Sequence, residues 1–258
     1  MNPKISIVTP SLNQGRYIQG TLESVVLQDY ENLEYVVVDG GSTDRTPEIL
    51  HRFVGHPRVK EIVVGKDKGQ TDGLIKGFSR CTGDVFGWLN ADDMLAPGAL
   101  STIGKLFAER EDIDVVVGNL ITINAASEEL ALWPRRVMSD QDWLRWPQGI
   151  GQPATFFSAK AYNAVGGMDP ALHYAMDYDL FMRLALAGKR FLFIDQVLAF
   201  FRIHPSSKSV AVPLSFWREE IKVYRKNGGR LFSPFWYWKF RGIISTTVRG
   251  RIFRSRKW

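Results

Sequence analysis

A single cysteine, Cys81, leaves no partner for an internal disulfide and no thiolate set for a structural zinc site. That usage fits a reducing compartment, and Cys81 itself reads as structural. No apolar run reaches the length of about 18 residues that a membrane-crossing helix needs, so none is expected. Met1-Asn2-Pro3-Lys4, followed directly by Ile5-Ser6-Ile7-Val8, lacks the apolar stretch and small-residue cleavage site of a signal peptide. Two phosphate-binding signatures are missing as well. After the first strand stands Thr9-Pro10-Ser11-Leu12-Asn13-Gln14-Gly15 instead of Gly-x-Gly-x-x-Gly, which argues against a dehydrogenase, and there is no Walker A pattern. Repeats and low-complexity stretches are absent too. What is present, 45% hydrophobic residues over 258 positions, suffices for one substantial α/β core with a small appendage.

Charge is unevenly spread. Residues 214–258 carry twelve Lys and Arg against Glu219 and Glu220, so this tail is +10 and leaves −4 on residues 1–213. The tail also holds eleven of the 32 aromatic residues, including Phe235-Trp236-Tyr237-Trp238. Rings mixed with cations suit a membrane interface, where aromatic groups sit at headgroup depth and Lys or Arg meet anionic lipid. Packing of a helical appendage on the main domain is the second reading, and nucleic-acid binding a distant third.

Through the first hundred residues strand and helix alternate. Strands are expected at Ile5 to Thr9, Leu33 to Asp39, Val59 to Val64 and Val85 to Leu89. Helices are expected at Tyr17 to Gln28, from an N-cap at Thr46 with Pro47 through Phe53, at Thr71 to Arg80, and from Ala99 after Pro97-Gly98. This order predicts a mostly parallel sheet covered on both faces. Its carboxyl edge gathers Pro10 to Asn13, Asp39 to Asp44, Gly65-Lys66-Asp67 and Asn90 to Asp93. Further on, strands are expected at Val115 to Gly118, Ala154 to Phe157, Phe191 to Ile194 and Val197 to Ile203. Helices are expected at Ser139 to Trp146 and Asp177 to Ala187, the latter ended by Gly188.

Asp92 and Asp93 fall at a strand's carboxyl end, the ligand edge of open α/β sheets, and their oxygens suit Mn2+ or Mg2+. Read alone, such a pair is more often two solvated turn residues. Asp39-Gly40-Gly41-Ser42-Thr43-Asp44 could hold a ribose or base, or form an ordinary glycine-rich turn. Asp177 and Asp179 open a helix, where acids favour the N-terminus, and Asp179 can pair with Arg183 one turn on. Asp177 is therefore the better candidate for a general base. His204 follows a strand and could complete a metal shell, although a strand-end histidine is more often exposed.

Taken in order, Thr9-Pro10-Ser11, Val38-Asp39-Gly40-Gly41-Ser42-Thr43-Asp44, Leu89-Asn90-Ala91-Asp92-Asp93, Met176-Asp177-Tyr178-Asp179-Leu180 and Arg202-x-His204 resemble family 2 glycosyltransferases over residues 4 to about 209. Gln152-Pro153-Ala154-Thr155 and Gly166-Gly167-Met168-Asp169 resemble the bacterial branch that builds surface polysaccharides. The resemblance implies a GT-A fold over 1–213, with a nucleotide-sugar-binding half (1–119) and an acceptor-binding half (120–213), while the basic aromatic composition of 214–258 marks a membrane-associating segment. It implies inverting transfer from a nucleoside-diphosphate sugar to a glycan or polyprenyl-linked acceptor, with no nucleic acid involved, on the inner face of the cell membrane. Donor contacts are then expected from Thr9, Pro10, Ser11, Asp39, Asp72, Asn90, Ala91 and Asp92. The metal would be held by Asp92, Asp93 and His204, and Asp177 would be the catalytic base. Two positions depart from the family pattern: Asn90 opens the Asp-x-Asp station, and Gly40 stands where uridine-using relatives often carry a second acid. The donor nucleotide, whether UDP, GDP or dTDP, is thus left open. The competing readings are a sugar nucleotidyltransferase, which would normally carry a basic glycine-rich loop near the first strand, and a non-catalytic glycan- or lipid-binding scaffold.

Overall fold

Alternation of side chains along buried strands gives the sheet two apolar faces. In the computed structural model, which describes residues 2–134, 137–146, 149–205, 207 and 214–255, every residue of strand β1 (Ile5–Ser11) is buried. Ile5 and Ile7 point into one core and Val8 into the other. Helix α1 (Ile18–Val26) leads to β2 (Leu33–Asp39), α2 (Thr46–His51), β3 (Val59–Val64), α3 (Gln70–Phe78) and β4 (Val85–Trp88). The strands β3, β2, β1 and β4 lie side by side and parallel, as the alternating order predicts. Helix α3 approaches β1 so closely that a Cβ on Gly77 would meet Val8 at 2.3 Å. Helix α2 begins differently from expectation. Arg45 is its N-cap and Thr46 its first residue, because the Asp44 carboxylate takes the Thr46 N–H and the Thr46 hydroxyl accepts from Gln14 N.

Past β4 the sheet becomes mixed. A short β5 (Met94–Leu95) and helix α4 (Ala99–Glu109) precede β6 (Val115–Ile123) and the edge strand β7 (Glu129–Trp133). Then come α5 (Asp140–Trp143), closed by a Ser139–Asp142 capping box, β8 (Thr155–Ser158), α6 (Ala159–Ala164), α7 (Met176–Leu186) and β9 (Phe191–Arg202). Strand β8 runs antiparallel to both β4 and β6, whereas β9 runs parallel to β6. The two strands expected around Asp195 are one, with a register shift where Asn119 Nδ2 bonds Asp195 Oδ1 at 2.9 Å. Strands β5 and β7 carry too few inward-facing apolar residues to be read from the sequence.

The C-terminal segment forms helices α8 (Leu214–Lys226) and α9 (Pro234–Ser255), and it is no loose appendage. Val223, Tyr224 and Phe235 are fully buried in the same core as α7, and the Tyr224 and Phe235 rings stack with centroids 3.6 Å apart. The boundary expected at 213/214 adjoins residues 208–213, which lie outside the described residues. Among the described residues no helix is long and apolar enough to cross a membrane. Burial pushes the Cys81 thiol up to about 12, in keeping with a structural role.

Candidate active site

Every parallel strand ends at the same edge, and there a cavity of about 660 Å³ opens. Of the expected residues it gathers Pro10 and Ser11 from the end of β1, Asn90, Ala91 and Asp92 after β4, and Asp177 from the first turn of α7. The far wall is Trp133, half-exposed at the end of β7 with its ring edge-on to Phe201 at 6.2 Å. Among the described residues two buried hydroxyls lack a hydrogen-bond partner, Ser11 Oγ and Tyr178 OH. Both residues line this cavity, where a bound molecule can supply what the protein does not.

Five expected residues are not among those that line it: Thr9, Asp39, Asp72, Asp93 and His204, which reaches its edge only through Asp92. Thr9 is fully buried and bonds the Tyr35 hydroxyl at 2.8 Å. Asp39 is also fully buried; its carboxylate accepts from the N–H groups of Gly41 and Ser42 and from the Ser42 hydroxyl, so it shapes the loop beside the cavity. Asp72 lies in the first turn of α3, ion-paired with Lys76 at 2.8 Å, which holds its carboxyl below the usual range. Asp93 is 1% exposed, with Oδ1 taking the Arg202 N–H and Oδ2 the Asn90 amide. Both oxygens take part in hydrogen bonds within the fold.

Asn90 accepts from Gln70 Nε2 at 2.7 Å and donates to Asp93 Oδ2 and Gln152 Oε1 at 3.2 and 3.3 Å. Gln152 in turn donates to the Trp88 carbonyl. Arg202 braces the turn from the other side, giving its Nε proton to the Asp92 carbonyl and laying its guanidinium over the Tyr17 ring. The loop after β4 is therefore fixed before any ligand arrives. From it the Asp92 carboxylate projects into the cavity, with Oδ2 3.0 Å from Nε2 of the buried His204. The imidazole packs against Tyr17, and its backbone N–H is held by Ser207 Oγ.

A carboxylate and an imidazole at a cavity edge suit Mn2+ or Mg2+ when substrate phosphates and water complete the shell. Among the described residues no group of three His, Cys, Asp or Glu gathers, so an ion held by Asp92 and His204 would need further ligands from outside the protein. The fit is thus to Asp92 and His204 together. Asp177 lines the same cavity half-buried, one oxygen accepting its neighbour's N–H, while Asp179 is turned away into an ion pair with Arg183 at 2.7 Å.

Sequence reading missed Asp67, Gln70, Gln152 and Arg202 as site residues. Asp67 lines the cavity, and a Cβ at Gly40 would lie 2.8 Å from its Oδ2. A carboxylate from the loop after β3 thus occupies the space beside Gly40. The carboxyl end of a parallel strand on the ligand edge was the available signal; the proximity to Gly40 exists only in three dimensions.

Comparison with known proteins agrees with this geometry. Residues 6–161 match the family described as glycosyl transferase family 2. The chain is 28% identical over 193 residues to a chondroitin synthase of Escherichia coli, covering 72% of this chain and 27% of that protein. It thus spans about a quarter of that synthase's length. It is 28% identical over 185 residues to a PGL/p-HBAD biosynthesis glycosyltransferase of Mycobacterium bovis, covering 70% of this chain and 69% of the relative. Among solved structures, S. aureus TarS residues 1–349 in complex with UDP-GlcNAc superposes with a TM-score of 0.70 at 16% identity, over 90% of this chain and 68% of that one. The mannosyltransferase PcManGT from Pyrobaculum calidifontis, in complex with GDP-Man and Mn2+, gives 0.67 at 18% identity, over 96% and 69%. These likenesses establish the GT-A fold. With the family match covering more than half of its residues, the chain belongs to glycosyl transferase family 2.

Proposed function

We propose that the protein transfers a sugar, with inversion, from a nucleoside-diphosphate sugar to a hydroxyl of a glycan or polyprenyl-linked acceptor in surface-polysaccharide synthesis. The observation that carries this reading is that Asp92, beside His204, and Asp177 line one cavity. The acceptor oxygen attacks the anomeric carbon as the bond from that carbon to the diphosphate oxygen breaks, and the electron pair leaves with the nucleoside diphosphate. Asp177 takes the acceptor's proton. Pro10, Ser11, Asp67 and Asn90 hold the donor. Mn2+ or Mg2+ on Asp92 and His204 would supply positive charge to the departing diphosphate. Similar folds that hold UDP-GlcNAc, or GDP-Man with Mn2+, support both the donor class and the ion.

The protein works at the inner membrane face in this proposal. Phe232 is 97% exposed on the loop before α9, and Tyr237, Trp238, Phe240 and Ile244 are exposed on α9 with Arg241 beside them. Rings and cations on one exposed helix suit an anionic lipid surface.

The test is nucleoside-diphosphate release from UDP-GlcNAc, GDP-mannose and dTDP-sugars, with Mn2+ and with EDTA. Asp177→Asn is expected to lower turnover by about 10²- to 10⁴-fold while donor binding, followed by thermal shift, persists. Undiminished turnover, or loss of binding and turnover together, would remove Asp177 from the role of base.

A further inference from the structure

Immediately before the catalytic-base helix, three consecutive backbone N–H groups converge on one side chain. Glu219 of α8 accepts from His173 N at Oε1 (2.9 Å) and from Tyr174 N and Ala175 N at Oε2 (2.5 and 2.7 Å). These residues lead directly into Met176-Asp177. A carboxylate with two acceptor oxygens and no hydrogen matches three converging donors, and each bond is charge-assisted. No side chain caps α7 from within its own segment. The neighbouring Glu220 is buried and ion-paired with Lys239 of α9, whose ammonium lies 5.1 Å from the centres of both the Trp217 and Phe235 rings.

We infer that Glu219 is a positioning residue for the reaction, holding the 173–175 turn so that Asp177 meets the acceptor, and that the C-terminal helices are therefore part of the catalytic apparatus. This rests on the reading of Asp177 as the base. The coupling runs from α9 through Lys239 and Glu220 to α8, and from Glu219 to the backbone ahead of Asp177. Helix α8 is anchored independently by Lys226, paired with Asp169 at 2.8 Å. Losing the Glu219 charge therefore leaves the helix docked while releasing the turn.

Glu219→Gln keeps the side-chain length but replaces one acceptor oxygen by an amide that faces N–H donors. Two measurements on the full chain decide the matter. Hydrogen–deuterium exchange is expected to show about tenfold or greater loss of protection at residues 173–178, with the sheet unchanged. Turnover of UDP-GlcNAc or GDP-mannose with Mn2+ is expected to fall about 100-fold in kcat, as for a base displaced by about an ångström, with KM for the donor nearly unchanged. Glu219→Asp recovers part of kcat, and Asp169→Asn, which loosens the other end of α8, keeps wild-type turnover. Unaltered exchange at 173–178, or kcat and donor affinity falling together, overturns the inference. Asp177→Asn run in parallel separates the two readings. Full activity there removes the base, whereas an inactive Asp177→Asn beside a fully active Glu219→Gln removes only the positioning role.

Discussion

At position 90 the amide does what a carboxylate would undo. Asn90 gives its protons to the buried Asp93 and to Gln152, and its oxygen takes a proton from Gln70. An aspartate would set an acceptor oxygen 3.2 Å from Oδ2 of Asp93 and lose both donors. Burial and the charge of Asp92 already push the Asp93 carboxyl up. The departure of Asn90 from the family pattern is thus matched to its neighbours. Asn90→Asp is expected to destabilise the protein by about 1–3 kcal/mol in urea denaturation at neutral pH, the cost of leaving buried polar groups unpaired. Legibility at this scale was uneven. Asp92, Asn90 and Asp177 could be picked from the chain because each follows a strand or opens a helix. Asp39, Asp72 and Asp93 look the same in sequence, and only the structure shows their carboxylates bonded within the fold.

Among the elements, β2 carries the most consequential polar group within a strand. Glu34 accepts from Ser6 Oγ, Thr82 N, Thr82 Oγ1 and Lys60 Nζ, tying β1, β2, β3 and the approach to β4 together. Burial by itself raises this carboxyl, but Lys60 and the Thr82 and Ser6 donors outweigh it and bring it down to about 2 from an ordinary 4.5. A group depressed in the folded state stabilises fully above its unfolded value and ceases to do so as pH falls through the folded one. Glu34→Gln is accordingly expected to lower Tm clearly at pH 7, and the gap from wild type should close between about pH 4.5 and 2 in thermal melts. A gap independent of pH would assign the loss to packing. Element boundaries followed the same logic: β2 and β3 were readable to the residue because their apolar runs end in turn formers. The start of α2 was not, since Asp44 and Gln14 decide it from outside the helix.

For the whole molecule, the tail presents two faces. Phe235 and Lys239 face inward and join the core, whereas Tyr237, Trp238 and Phe240 face solvent. Removing residues 214–258 would therefore expose the Tyr224 and Phe235 side of the core and dismantle the Glu219 contacts, so truncation confuses lipid binding with folding. The discriminating variant changes Tyr237, Trp238 and Phe240 together to serine. It is expected to keep Tm within a few degrees, since surface substitutions cost little, and to lose sedimentation with vesicles containing anionic phosphatidylglycerol. Sedimentation equal to wild type would show that α9 is not the lipid-binding element.

The sequence alone determined the alternation of strands and helices through β4, the carboxyl edge where the acids gather, and the pairing of Asp179 with Arg183. Those features depend on period, turn chemistry and spacing along one chain. The tertiary structure decided the rest. It turned the second half of the sheet antiparallel at β8, placed His204 against Asp92 across 112 positions, brought Asp67 beside Gly40, and set Glu219 under the backbone ahead of Asp177. Each of these joins groups far apart in sequence, and their meeting is fixed by how the sheet is ordered and how the helices pack on it.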